Sequence, residues 1–145
     1  MNLDIAKKWT TALRSGTYEQ GTKVLCRIAD GTGKPLDKPQ WCCLGVLCDI
    51  LNVSKQPTMS GDRSIVFAAD GFATDSCLPP AVFEQAGFNS PANSEDGEEV
   101  ELPEPMPKKI ANTAHSVVHQ LTGMNDYGYT FEEIADYIDK HAAAL

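Results

Sequence analysis

The stretch Gln40-Trp41-Cys42-Cys43-Leu44-Gly45-Val46-Leu47-Cys48-Asp49-Ile50-Leu51 decides the reading of this chain. The run from Trp41 to Leu51 is the most apolar in the sequence, yet it is about half of the ~20 residues a membrane span needs. It therefore belongs in a core. Gln40-Trp41-Cys42 reads as the end of a strand. From Cys43 onward, Leu44, Leu47, Cys48 and Leu51 fall on one helical face, and Asn52 is placed to close the helix. A strand that enters a buried helix is the junction of a mixed fold.

Upstream, Lys23 to Ile28 reads as the partner strand, joined through the turn composition Asp30-Gly31-Thr32-Gly33-Lys34-Pro35. Before it, Ile5, Ala6, Trp9, Ala12 and Leu13 recur at helical spacing, with Asn2 or Asp4 as cap and Gly16 as terminator. Downstream, Ser64 to Ala68 and Phe72 to Thr74 flank Asp70-Gly71, a hairpin turn pair. A short helix follows, with Pro79 and Pro80 near its start, Val82, Phe83 and Ala86 along it, and Gly87 at its end. Residues 89–107 hold six acidic residues, no basic ones and four of the nine prolines. They read as a mobile acidic loop with a short strand at 99–102. Ile110, Ala114, Val117, Val118 and Leu121 are spaced as a helix. The last helix is announced by a capping box, Thr130 with Glu133, and by the staple pair Tyr129 and Ile134. At 145 residues and 42% hydrophobic, the expectation is one domain spanning 1–145, able to bury a core without staples. The fold class is α+β: a small antiparallel sheet packed against about four helices.

Charge and cysteine usage narrow the function. Residues 73–145 carry 3 Lys+Arg against 13 Asp+Glu, whereas residues 1–72 carry 9 against 7, giving the net −8. Such a chain repels phosphate backbones, so no nucleic-acid partner is expected. Five cysteines, an odd number in a chain of this length, argue against a disulfide framework. The opening residues carry no secretory h-region. These features lead us to expect a cytoplasmic protein with reduced thiols and no membrane partner.

Three blocks carry a resemblance. They are Trp9-x-x-Ala12-Leu13-Arg14-Ser15-Gly16-x-Tyr18-x-Gln20-Gly21, then Cys42-Cys43-Leu44-Gly45-Val46-Leu47-Cys48-Asp49, then Leu121-x-x-Met124-Asn125-Asp126-x-Gly128-x-Thr130-Phe131-x-Glu133-Ile134-Ala135. In this order, with Leu78-Pro79-Pro80-x-Val82 between the last two, the chain resembles a group of small proteins encoded by tailed bacteriophages and prophages. It departs from them in its acidic insert at 89–107. The resemblance implies a phage setting, in the cytoplasm of a host cell, rather than a reaction.

Four chemistries can be weighed on the residues. Cys42 and Cys43 stand at a predicted helix start, where the dipole lowers a thiol pKa. With His115 or His119 as base, Cys43-Leu44-Gly45 resembles the nucleophile segment of NlpC/P60 peptidases; the alternative is that the thiols are small core residues. His115 and His119, four apart on one helix face, suit a metal, but no His-Glu-x-x-His or Cys-x-x-Cys accompanies them, so neither metal nor cofactor is expected. Thr130-x-x-Glu133-Ile134-Ala135-x-x-Ile138 resembles the first helix of a helix-turn-helix, with no recognition helix after it. Finally, Arg14, Tyr18, Gln20, Lys23 and Trp41 offer a cationic fork, two aromatic faces and an amide, a set suited to a nucleotide-like ligand. The alternative is that Arg14 pairs with an acidic helix such as the last, and that Tyr18 packs on Trp41.

The leading expectation is a non-catalytic phage accessory protein that antagonises a host defence by sequestering a nucleotide-like small molecule through those five residues. The competing expectations are an inhibitor of a host protein through the acidic face, a Cys–His hydrolase using Cys43, and a virion assembly accessory. Homo-oligomer formation is left open.

Overall fold

The computed structural model describes residues 1–57, 63–89, 99–109 and 117–145. Among them, five helices and three small sheets form the α+β fold that the sequence pattern predicts. The first helix, α1 (Leu3–Arg14), starts where the Asn2 side chain accepts from the Asp4 and Ile5 N–H groups, and Gly16 follows its end at φ 71. Its inward face is Ala6, Trp9, Thr10 and Leu13. Burying a side chain such as Leu13 stabilises by about 2 kcal/mol.

Three strands follow: β1 (Glu19–Gln20), β2 (Cys26–Ala29) and β3 (Pro35–Trp41). They form a sheet in the order β1-β3-β2, with β1 parallel to β3 and β2 antiparallel to it. The predicted strand at Lys23 begins three residues later, because Lys23 sits at φ 71, outside strand geometry. From β3 the chain enters α2 (Cys43–Ile50), whose residues Cys43 to Cys48 are all buried. Asn52, at φ 56, turns the chain beyond it. Gly45 is required there: a Cβ would fall 1.8 Å from the Leu25 carbonyl oxygen, so α2 and the lead into β2 touch backbone to backbone. Trp9 Nε1 donates to the Cys43 carbonyl at 2.9 Å and locks α1 across the start of α2.

A second sheet joins β4 (Ser54–Pro57), β5 (Ile65–Ala69) and β6 (Phe72–Thr74), all antiparallel. The Asp70-Gly71 turn has φ 49 and 82, the two positive values that a type I′ hairpin needs. Next comes α3 (Pro80–Ala86), ended by Gly87 at φ 68. The third sheet pairs β7 (Glu101–Pro107) with β8 (Val117–Gln120), antiparallel. It leads into α4 (Leu121–Asp126) and α5 (Phe131–His141), which opens on the predicted capping box. Tyr129 and Ile134, the expected staple pair, are both buried.

Two predictions are corrected. The helix expected through Val117, Val118 and Leu121 is strand β8 followed by a short helix that begins at Leu121; Ile110 and Ala114 lie outside the described residues. Alternation decides it: Val118 is buried while Val117 and His119 are exposed. The acidic loop expected over 89–107 is strand β7 from Glu101 to Pro107, and residues 90–98 lie outside the described residues. The strand tolerates its prolines because, among the described residues, it pairs with β8 on one side alone. Among the described residues, no helix is long and apolar enough to cross a membrane.

Candidate functional site

The thiols at the start of α2 offer covalent chemistry where they can ionise. Cys42 is the N-cap of α2, its Sγ accepting from the Gly45 N–H at 3.3 Å. The Cys43 thiol points at the Leu121 carbonyl, 3.7 Å away. A helix start should lower both pKa values. Burial outweighs it: the Cys42 thiol is pushed up to about 12 and that of Cys43 well above the ordinary thiol range. His119 stands on β8 rather than on a helix and is exposed, whereas Cys43 is fully buried. His115 lies outside the described residues. Among the described residues, no imidazole bonds to either thiol, so the geometry assigns both to the core.

The five residues expected to hold a nucleotide-like ligand are each engaged internally. Arg14 reaches from α1 to α5, with Nη2 at 2.5 Å from Asp136 and Nη1 at 2.7 Å from Asp139. The Tyr18 hydroxyl donates to Asp49 at 2.6 Å, and its ring stands edge-on to Trp41 at 5.4 Å. Trp41 also meets Phe67, at 6.3 Å, and the Lys55 ammonium, at 5.6 Å. Gln20 donates to Asn125 Oδ1 and to the Tyr129 carbonyl, and accepts from the Phe131 N–H. Lys23 gives its backbone N–H to Asp126 at 3.0 Å. The fold thus brings Tyr18 and Trp41 together and sets Gln20 and Lys23 against Asn125-Asp126. Arg14 is spent on the α1–α5 seam.

Asn125 is the hub of this arrangement. It is buried, and its Nδ2 donates to the Gly21 carbonyl at 2.7 Å while its Oδ1 accepts from Gln20 and from the Cys43 N–H. One side chain therefore ties the β1 loop and the start of α2 to α4. Among the described residues, no buried side-chain nitrogen or oxygen lacks a partner. That is the signature of a structural network.

A different surface has open chemistry. Between β7 and α5 runs a groove of about 330 Å³ whose lining includes Glu104, Met106, Tyr129, Glu133, Asp136 and Tyr137, together with Lys140 and His141. Tyr129 and Tyr137 are buried, so their rings form its wall rather than project from it. The Tyr137 hydroxyl donates to the Glu104 carbonyl at 3.0 Å, which fixes β7 against α5, and its ring stacks on His141 at 4.3 Å. The Tyr129 hydroxyl donates to the Pro107 carbonyl at 2.6 Å. The neighbouring Lys109 ammonium lies 4.7 Å from the Tyr129 ring and pairs with Glu133, whose carboxyl this contact holds below the usual range. The fold itself seats a lysine beside this aromatic and acidic surface. Sequence reading missed the groove because β7 was cut short at Leu102. Its signal was the alternation Glu101-Leu102-Pro103-Glu104-Pro105-Met106-Pro107, in which Leu102 is buried and Met106 half-buried.

No curated protein and no solved structure matches the chain significantly. Residues 1–142 match the model of a domain of unknown function, DUF8296, and the chain belongs to that family.

Proposed function

We propose that this protein is a bacteriophage or prophage accessory protein that acts by binding rather than by catalysis, inhibiting a host protein through the groove between β7 and α5. The observation that carries the reading is the groove itself: two buried tyrosines beside Glu104, which has no ion pair among the described residues, with Glu133 and Asp136 at the edge already paired to Lys109 and Arg14. A basic side chain of a partner would find a carboxylate and an aromatic face together, as Lys109 already does at the rim. Cation–π contacts contribute about 0.5–2 kcal/mol each. The excess of acidic residues in the second half steers a basic partner toward this face and speeds encounter. The phage setting rests on the three sequence blocks. A nucleotide-like ligand at Arg14, Tyr18, Gln20, Lys23 and Trp41 is less well supported, because it must first displace Asp136 and Asp139 from Arg14 and Asp49 from Tyr18.

Native mass spectrometry of the protein purified from infected host cells tests this. The expected result is a salt-labile complex with a host protein that is lost in Glu104→Lys, a variant that leaves the Arg14–Asp136 and Lys109–Glu133 pairs intact. A retained anionic small molecule that disappears in Arg14→Ala would overturn it in favour of sequestration.

A further inference from the structure

One cation already sits at the edge of the groove between β7 and α5, and the protein supplies it. The Lys109 ammonium lies 4.7 Å from the centre of the Tyr129 ring and donates to Glu133 Oε1. The receiving groups and the lysine are held very differently. Tyr129 is buried, and its hydroxyl is tied to the Pro107 carbonyl at 2.6 Å. Glu133 is fixed through its other oxygen: Oε2 accepts from the Thr130 N–H at 3.0 Å and from the Thr130 hydroxyl at 3.2 Å, within the capping box of α5. Both groups therefore keep their places whether or not the lysine is there. The lysine has no such independence. Its backbone N–H is anchored on the Tyr127 carbonyl at 3.1 Å, but among the described residues its ammonium has no partner beyond Glu133 and the Tyr129 face. Both ends of the ion pair are open to solvent, where water and salt weaken such contacts. The fold thus builds a rigid receiver for an ammonium or guanidinium and fills it with an exchangeable side chain of its own.

We propose that Lys109 is an internal competitor for the groove: a lysine or arginine side chain of the partner displaces it from Tyr129 and Glu133, and this competition sets the affinity of the surface. The regulation rests on the groove being the binding surface for a basic partner. A partner that takes the place of Lys109 gains the same carboxylate and the same aromatic face, so the exchange replaces like with like. It also reaches Glu133, which is otherwise closed to it by the internal pair. Apparent affinity is the intrinsic affinity reduced by the fraction of molecules whose receiver stands empty. The competitor is tethered, so its local concentration is constant and dilution does not remove it. Lys108 provides the contrast. One residue earlier in the chain, its ammonium lies over a different ring, that of Tyr127, at 3.8 Å. The two lysines carry the same charge, and of the two it is Lys109 that occupies the receiver.

Amide NMR titration of the isotopically labelled full chain tests this, with a blocked tripeptide carrying one lysine between two glycines as the probe. The parent should give saturable shifts at the Tyr129 and Glu133 amides. Lys109→Met should bind the probe roughly five-fold more tightly, because its receiver is always empty. Lys108→Met makes the same change of charge and should alter the affinity by less than about two-fold. Lys109→Arg keeps a competitor in place and should show no gain. Adding Glu133→Gln to Lys109→Met should cancel the gain, and the remaining spectrum reports that each variant keeps the fold. Equal gains in Lys108→Met and Lys109→Met, or no gain in either, overturn the internal competitor while the groove reading stands, because the probe still binds. No probe binding to any of these chains, or binding that is unchanged in Glu104→Lys, overturns the groove reading and the competitor together.

Discussion

Of the polar ties that join the first twenty residues of this protein to its C-terminal quarter, two differ in almost everything except that role. One is the buried cluster of Gln20, Asn125 and the Phe131 N–H. The other is the exposed fork of Arg14 on Asp136 and Asp139. The fork has the shorter contacts and full charges, yet its carboxylates are 69% and 48% exposed. Water and salt compete for it, and such pairs contribute about 0–1 kcal/mol. The cluster is uncharged, but it is centred on the buried Asn125 and only its Gln20 end is half-buried, so an orphaned partner costs about 1–3 kcal/mol. Burial rather than contact length decides which tie holds the molecule together.

The comparison breaks if the order of effects below is wrong. Asn125→Ala should have the largest effect, roughly 3 kcal/mol in denaturant unfolding, because it strands the Gly21 carbonyl, the Cys43 N–H and Gln20 at once. Gln20→Ala should cost about 2 kcal/mol and couple strongly to Asn125→Ala in a double-mutant cycle. Tyr18→Phe should cost about 1 kcal/mol, since its bond to Asp49 is only partly shielded. Burial, then Asp49, raises the Tyr18 phenol from 10 to about 12. Its stabilising contribution is therefore complete below pH 10 and lost as pH rises toward 12. Ultraviolet titration should find a late phenol that is absent in Tyr18→Phe, while the Tyr137 phenol, which burial also raises, remains. Arg14→Ala should cost less than about 1 kcal/mol, and the difference should vanish in molar salt. Glu99→Gln should have the smallest effect and the opposite sign. A carboxyl whose folded pKa is raised above the usual 4.5 destabilises the fold as pH rises through it. The amide should raise the melting temperature slightly at pH 7 and leave it unchanged at pH 3.

What the sequence made legible was whatever is written within four residues. The Thr130–Glu133 box, the Asp70-Gly71 turn and the glycines after α1 and α3 are local grammar, and each stands where its residues put it. β8 was misread because four residues carry too little periodicity to tell a strand from a helix. β4, Ser54-Lys55-Gln56-Pro57, has no apolar alternation at all and exists through backbone pairing with β5. The functional reading failed to place Gln20 for a similar reason: its partners lie more than a hundred residues away. An exposed-looking amide and a buried network node have the same letter. Arg14 and Tyr18 followed the alternative weighed for them, pairing with the last helix and packing on Trp41.

The prolines of β7 have a consequence for how this protein meets other molecules. Pro103, Pro105 and Pro107 remove every second N–H along the strand, and proline in a sheet belongs on the edge that has no neighbour. A strand arriving at that edge finds carbonyls with no donors between them. Among the described residues this sheet has two strands, and its β7 edge is a poor template for stacking one copy on the next at high concentration. The same blockade selects the manner of recognition at the adjoining groove: a partner cannot join by extending the sheet and must be read through its side chains.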